Sequence, residues 1–323
     1  MPVRKRQANN MVDRQSASEI LYLLGFNPTF VAAGMEGFVF DVGDALLAKV
    51  WRTKRYGEVE QLGFFYDQLR GKHLPFATPK IHNVLRAQSG DLVVSIEERL
   101  PGTALKAILE RDPENNMLLK KGIDTVFSVV NNLQTVGDIP IVKRLSLLGE
   151  PSLWTPRSTW GAVLGDFMTL RVSQHEMLLN RAVANLEHKV SRVVTLLKEL
   201  SIAHLGVIHG DICPENVLVD EFTLTPIGLL DFGFLTTSAD PLFDAVISSL
   251  IFDMYSPRSQ HTKESLRKRY TQLHGQAFDS IYPLYKAAYA LATSNAYSED
   301  GEDGHFRWCV AILNDEETNA LIS

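Results

Sequence analysis

Three side chains carrying hard oxygen donors fall close together in "HGDICPEN" and "LLDFG": Asp211, Asn216 and Asp231. A carboxylate can orient a hydroxyl and take its proton, and an amide oxygen is a hard ligand suited to magnesium. Asp211 and Asn216 read as parts of a loop between an amphipathic helix and a short strand, and Asp231 ends the next strand. A hairpin joining the two strands would bring Asp231 beside Asn216. The spacing therefore predicts one oxygen-lined cation site next to one carboxylate able to act on a hydroxyl.

The elements that must hold these groups are legible in outline. Residues 185–201, "NLEHKVSRVVTLLKELS", carry Leu186, Val190, Val193, Val194, Leu197 and Leu200 as a helical apolar stripe. Short strands are expected at 217–220 and 226–232. "ADPLFDAVISSLIFDMY" then opens a helix, with Asp240 as its N-cap and Pro241 at the first helical position. Residues 18–100 read as mostly strand with one helix. "FVAAGMEGFVFDV" and "DALLAKVW" flank a turn at Gly43-Asp44. "GEVEQLGFFYDQLR" spaces Val59, Leu62, Phe65, Tyr66 and Leu69 as a helix. Two further strands are expected on either side of Ser89-Gly90-Asp91, and "LPGTAL" places a Pro-Gly hinge after them.

Bulk properties exclude several classes. The 323 residues carry 32 basic and 38 acidic side chains, a net charge of -6. That speaks against a nucleic-acid binder, which needs clustered Lys and Arg. The two cysteines, Cys213 and Cys309, make neither a disulfide framework nor zinc spacing, which suits the cytoplasm. No run of apolar residues is long enough for a membrane span. The basic stretch at Arg4, Lys5 and Arg6 lacks the apolar segment of a signal peptide and reads as a solvated tail.

"HGDICPEN … LLDFG … DPLFD" resembles the aminoglycoside phosphotransferase and choline kinase-like family of small-molecule kinases. The resemblance implies an α+β, bilobal protein-kinase-like fold, with a basic tail over 1–17, a β-rich nucleotide-binding lobe over 18–99 and a helical lobe over 100–323. It implies Asp211 as the catalytic carboxylate, Asn216 and Asp231 as magnesium ligands, and His209 and Asp244 as supports of the catalytic loop. In the front lobe, "AAGMEGFVFDV" resembles the family's glycine loop, so Gly34 and Gly37 would admit phosphates to backbone amides. Lys49 would face the α- and β-phosphates, with Glu60, or else Glu58, as its helix partner. Glu97, Glu98, Arg99 and Leu100 would present backbone groups to the base of ATP or GTP.

Two departures separate the sequence from protein kinases. Gly210 stands where those enzymes usually carry arginine, and only eight residues lie between Asp231 and Asp240. That leaves no room for a peptide-binding activation segment. The expected reaction is magnesium-dependent transfer of a γ-phosphoryl group to a hydroxyl of a small molecule, an aminoglycoside or other antibiotic among the candidates. The alternatives are a non-catalytic nucleotide-binding scaffold, or a kinase of a primary metabolite or a protein. The expected chain is a monomer or weak dimer. Residues 152–181, with Trp154, Trp160 and Phe167, read as an inserted specificity element whose aromatics belong mainly to the core. The acids at 298–305 and 314–317 could attract a cationic acceptor, though a solvated acidic loop is the plainer reading.

Overall fold

A computed structural model describes residues 13–87, 92–298 and 300–322. The chain divides into two compact units, one running to Gln68 and resuming over Thr78–Leu100, the other formed by Leu69–Ala77 and the residues from Pro101 onwards.

The first unit is a five-stranded antiparallel sheet in the order β1-β2-β3-β5-β4. Its strands are β1 (Thr29–Ala33), β2 (Gly37–Gly43), β3 (Leu46–Trp51), β4 (Ile81–Arg86) and β5 (Val93–Glu98). Asp44 and Ala45 join β2 to β3 with φ of 51° and 57°, the left-handed pair that a two-residue hairpin turn demands. Strand residues alternate faces, so Phe38, Phe40, Ala48, Val50, Val94 and Ile96 form one apolar face. Helix α1 (Arg14–Leu23) buries Ala17, Ile20 and Leu21 against it. The expected tail over 1–17 therefore gives way to helix at Arg14, where Asp13 accepts the N–H of Ser16 as N-cap. Residues 1–12 lie outside the described residues, as do Ser89, Gly90 and Asp91 of the expected break. Helix α2 (Tyr56–Arg70) buries Val59, Leu62, Phe65, Tyr66 and Leu69, the stripe read from the sequence.

The second unit is mainly helical. It begins with β6 (Thr103–Ala104), α3 (Leu105–Leu109) and α4 (Asn116–Leu133), then α5 (Trp160–Gln174), α6 (Glu176–Ala182) and α7 (Leu186–Glu199). Short strands β7 (Gly206–Ile208), β8 (Val217–Val219), β9 (Pro226–Leu229) and β10 (Thr237–Ala239) follow. The chain ends in α8 (Leu242–Ile251), α9 (Ser259–His274), α10 (Gln276–Thr293), α11 (Gly304–Leu313) and α12 (Glu316–Ile322). The strands form two small antiparallel ribbons, β6-β8-β9 and β10-β7. Residues 69–77 join this unit because the Ala77 N–H donates to Ile227 O and Ala77 O accepts from Leu229. Helices α5 and α7 cross closely, with Gly161 so near Leu197 that a Cβ would stand 1.8 Å from its carbonyl oxygen. Trp160 and Phe167 of α5 are buried in this core, as their sequence reading favours.

Candidate active site

The loop after β7 is held from below by one carboxylate. Asp244, on the first turn of α8 and only 3% exposed, accepts the His209 N–H on Oδ2 and the Gly210 N–H on Oδ1, both at 2.7 Å. Burial pushes its carboxyl up to about 7 although both donors pull it down. Gly210 has φ of +78°, and a Cβ there would meet the Leu235 Cβ at 2.4 Å. The position therefore excludes the arginine of protein kinases on steric grounds alone.

His209 works in two directions. Its Nδ1 accepts the Asp211 N–H at 3.1 Å, and its Nε2 lies 2.7 Å from Leu230 O, the neighbour of Asp231. These partners require the neutral imidazole with its proton on Nε2. Burial drives the pKa down to about 4, in keeping with that state. The ring also packs on Phe232 at 4.4 Å between centroids.

Asn216 donates through Nδ2 to Asp211 O at 2.9 Å and to Asp211 Oδ2 at 3.1 Å, so Oδ1 is the atom that could hold a cation. The β8–β9 pairing and the bond from Leu230 N–H to Asn216 O carry the chain straight to Asp231. Asp231 is exposed and has φ of +57°, a left-handed conformation rare outside glycine. The hairpin thus brings Asp211, Asn216 and Asp231 into one constellation. Burial, and then the Asp231 charge, raise the Asp211 carboxyl to about 8, with the Asn216 hydrogen bond acting in the opposite sense. Two acids that repel in this way, beside an amide oxygen, suit a small hard cation that completes its shell with phosphate oxygens and water.

The chain returns tightly after Asp231. Thr236 Oγ1 accepts the Gly233 N–H and donates to His209 O, both at 2.9 Å. Strand β10 then pairs with β7. Asp240 accepts the Leu242 N–H and the Tyr285 hydroxyl. It caps as expected, but the helix begins one residue later, so Pro241 is the N-cap residue and Leu242 opens α8. Burial, then Asp211 and Glu215, push the Cys213 thiol well above its usual range, so it stays protonated and non-nucleophilic. Burial, then the Asp211 charge, also raise the hydroxyl of Tyr297, a residue 55% exposed.

In the first unit, Lys49 lies on β3, the central strand of the sheet, on the face opposite α1. A central position rules out a lysine snorkelling from a sheet edge. Its Nζ is 2.9 Å from Glu36 Oε2 and stands 4.0 Å from the centroid of the Trp51 ring. This replaces the expected partner. Glu60 is exposed, and Glu58 turns its carboxylate to the Arg55 N–H at the start of α2. Glu36 was missed because it sits between the two glycines, where only backbone was expected to matter. Gly37 has no room for a side chain, since a Cβ would stand 2.1 Å from Val50 O, whereas Gly34 faces open space. Of the backbone expected to meet a base, the Glu98 N–H is taken by Lys80 O and the Arg99 N–H by Ala45 O. Glu97 is paired within the sheet, opposite Leu47 and Ile81, and Leu100 follows Arg99 as a buried side chain.

Several of the acids that could attract a cationic acceptor do other work. Asp315 and Glu317 hold Lys286, a side chain only 4% exposed, and Glu317 also pairs with Arg267 at 2.8 Å. Asp303 caps α11 by accepting the Phe306 N–H, and Asp300 accepts the Glu302 N–H. Glu299 of the same stretch lies outside the described residues. Trp154 of the inserted segment donates its indole N–H to Thr237 Oγ1 at 2.8 Å.

Comparison with known proteins bears on the family and the fold. The profile of the phosphotransferase enzyme family matches residues 29–284. Among solved structures, a thermostable mutant of aminoglycoside phosphotransferase APH(4)-Ia, in ternary complex with ADP and hygromycin B, aligns with a TM-score of 0.65 at 16% identity, over 94% of this chain and 97% of that one. The GDP complex of aminoglycoside 2'-phosphotransferase-IIIa aligns with a TM-score of 0.63 at 12% identity, over 97% and 100%. APH(3'')-Id from Streptomyces rimosus, with ADP and streptomycin, aligns with a TM-score of 0.55 at 15% identity, over 87% and 99%. At these identities the likeness is one of fold. No curated protein matches the sequence.

Proposed function

Since the chain belongs to the phosphotransferase enzyme family, we propose that it moves the γ-phosphoryl group of ATP or GTP to a hydroxyl of a small molecule. The observation that carries this reading is the constellation of Asp211, Asn216 and Asp231, joined by one hairpin and braced by Asp244. Asp211 orients the acceptor hydroxyl and takes its proton as the bond to phosphorus forms. Asn216 Oδ1 and the Asp231 carboxylate are the residues that would hold magnesium. When bound, that ion neutralises charge on the phosphates. Lys49 neutralises the phosphates that are not transferred. The work of the protein is positioning and electrostatics, because phosphoryl transfer through a loose transition state needs little covalent help.

A nucleotide-binding scaffold without catalysis is the rival reading. Lys49, Asp211 and Asp231 are all in place, which favours the enzyme. Aminoglycosides head the candidate acceptors, since the similar structures hold hygromycin B or streptomycin. Of the acids at 314–317, Asp315 and Glu317 are already engaged by Lys286 and Arg267, which weakens their case as cation recognition. No helix among the described residues is long and apolar enough to cross a membrane, and a donor nucleotide is plentiful in the cytoplasm, where we place the reaction.

The test is phosphate incorporation into a panel of aminoglycosides, macrolides, peptide antibiotics and small metabolites, read by mass shift with ATP and GTP in magnesium. Asp211→Ala should lose about 10²–10⁴-fold in turnover while nucleotide still binds. A variant with near-normal rate would remove Asp211 from the reaction.

A further inference from the structure

The turn between β1 and β2 carries Glu36, whose pairing with Lys54 the phosphotransfer chemistry above leaves unused. Glu36 sits on this turn with its side chain 25% exposed, and two lysines share its carboxylate. Lys49 Nζ is 2.9 Å from Oε2, and Lys54 Nζ is 2.8 Å from Oε1. Lys49 and Lys54 are only 12% and 8% exposed, and both ammonium groups lie against the Trp51 ring, at 4.0 and 5.7 Å from its centroid. Two lysines brought this close repel each other unless an anion lies between them. Burial alone would raise the Glu36 carboxyl, but the two ammonium groups outweigh it and hold it at about 2.

The backbone around the cluster is pinned while the side chain has somewhere to go. Arg52 N–H donates to Glu36 O at 2.8 Å, and Gly34 N–H donates to Gly37 O at 2.9 Å. Gly37 is locked against Val50 O, whereas Gly34 borders open space and Met35 is exposed. A rotation of the Glu36 side chain alone would release the Lys54 ammonium group and give up the contact with Lys49 without moving the sheet.

We infer that Lys54 is a second cation for the nucleotide's phosphates, and that the Glu36 carboxylate is a removable stand-in which incoming phosphate displaces. This rests on the nucleotide-binding reading of the first unit. The Glu36 carboxylate offers the two lysines one charge and two oxygens, while a di- or triphosphate brings more charge and more acceptor oxygens. Phosphate therefore wins the pair, and Glu36 sets how much of the binding energy is spent on its removal.

The experiment is equilibrium binding of ADP and of a non-hydrolysable ATP analogue to the full-length chain, with adenosine as a control without phosphate. Glu36→Gln should bind both nucleotides about threefold or more tighter, since the competing charge is gone and the side-chain shape is kept. Lys54→Gln should bind them about tenfold weaker. Adenosine affinity should stay unchanged in both, and melting temperatures should show that each variant is folded. Weaker nucleotide binding by Glu36→Gln would overturn the inference, since Glu36 would then be a permanent orienting partner of Lys49. Unchanged binding by Lys54→Gln would also overturn it. If the parent chain bound no nucleotide at all, the broader functional reading would fall, an outcome distinct from either of these.

Discussion

Replacing Asp244 separates two contributions that are usually confounded, burial of a charge and alignment of a loop. In Asp244→Ala the His209 and Gly210 N–H groups lose acceptors at 2.7 Å in a fully buried setting. Each orphaned donor costs about 1–3 kcal/mol, so the pair costs about 2–6 kcal/mol. Against this, the carboxylate is itself expensive to bury, as its rise from 3.8 to about 7 shows. A rise of that size returns at most about 4 kcal/mol when the group is removed. Less is returned near neutral pH, where the carboxyl is already partly protonated. The net loss of stability should be about 2 kcal/mol. Turnover should suffer far more, by about 10²-fold, because the two N–H groups set where the next residue, Asp211, points. Asp244→Asn is the sharper variant. Its Oδ1 can satisfy one N–H, but its amide then turns a donor toward the other. Charge-burial reasoning alone makes Asn stabilising; bidentate acceptance makes it no better than Ala. Urea unfolding and steady-state kinetics would measure both quantities. An Asp244→Asn enzyme as stable as the parent and nearly as fast would refute the bidentate reasoning.

Three further outcomes follow from the geometry. Asn216→Ala removes a ligand atom and the hydrogen bond to Asp211 together, so the magnesium concentration for half-maximal activity should rise about tenfold or more; an unchanged magnesium titration would place the ion elsewhere. Gly161→Ala would force a Cβ to 1.8 Å from Leu197 O and should destabilise the helical unit by about 1–3 kcal/mol in thermal or urea unfolding, the cost of prying α5 from α7. The depressed Glu36 carboxyl contributes stability that is present above its ordinary value of 4.5 and lost as pH falls toward about 2. The stability gap between the parent and Glu36→Gln should thus be constant above pH 5, by rough reckoning from that ordinary value, and close on acidification; a gap that widened in acid would reverse the assignment.

The arrangement of the candidate site was readable because it is local. His209, Asp211, Asn216 and Asp231 lie on one loop and one hairpin, so order and spacing nearly determine their arrangement. The Asp240-Pro241 start signal placed α8 within one residue, the usual uncertainty when a side chain caps from just outside. Partnerships across the sheet were not readable. Lys49 chose Glu36 over two glutamates on the helix that follows it, a choice made by the fold of the β1–β2 turn, to which helical periodicity is blind. Helix α1 was divided between an expected tail to residue 17 and a stretch read as mostly strand, because its buried residues, Ala17, Ile20 and Leu21, are few among polar neighbours. The acids at 315 and 317 looked solvated because Lys286 lies about thirty residues away in sequence and is itself buried in α10, where a periodicity argument expects an apolar side chain.

The short return from Gly233 to Leu242 has a consequence for control. Thr236 is tied to the catalytic loop, Thr237–Ala239 are zipped to β7, Ser238 donates to Asp138, and Asp240 is committed to α8 and Tyr285. A covalent on-off switch needs slack chain that can be ordered in one state and released in the other. Here the same hydrogen bonds that seat the catalytic loop consume that slack. On the phosphotransfer reading proposed above, the stretch from Gly233 to Leu242 is therefore set with the fold itself and is not a segment that such a switch could order and release.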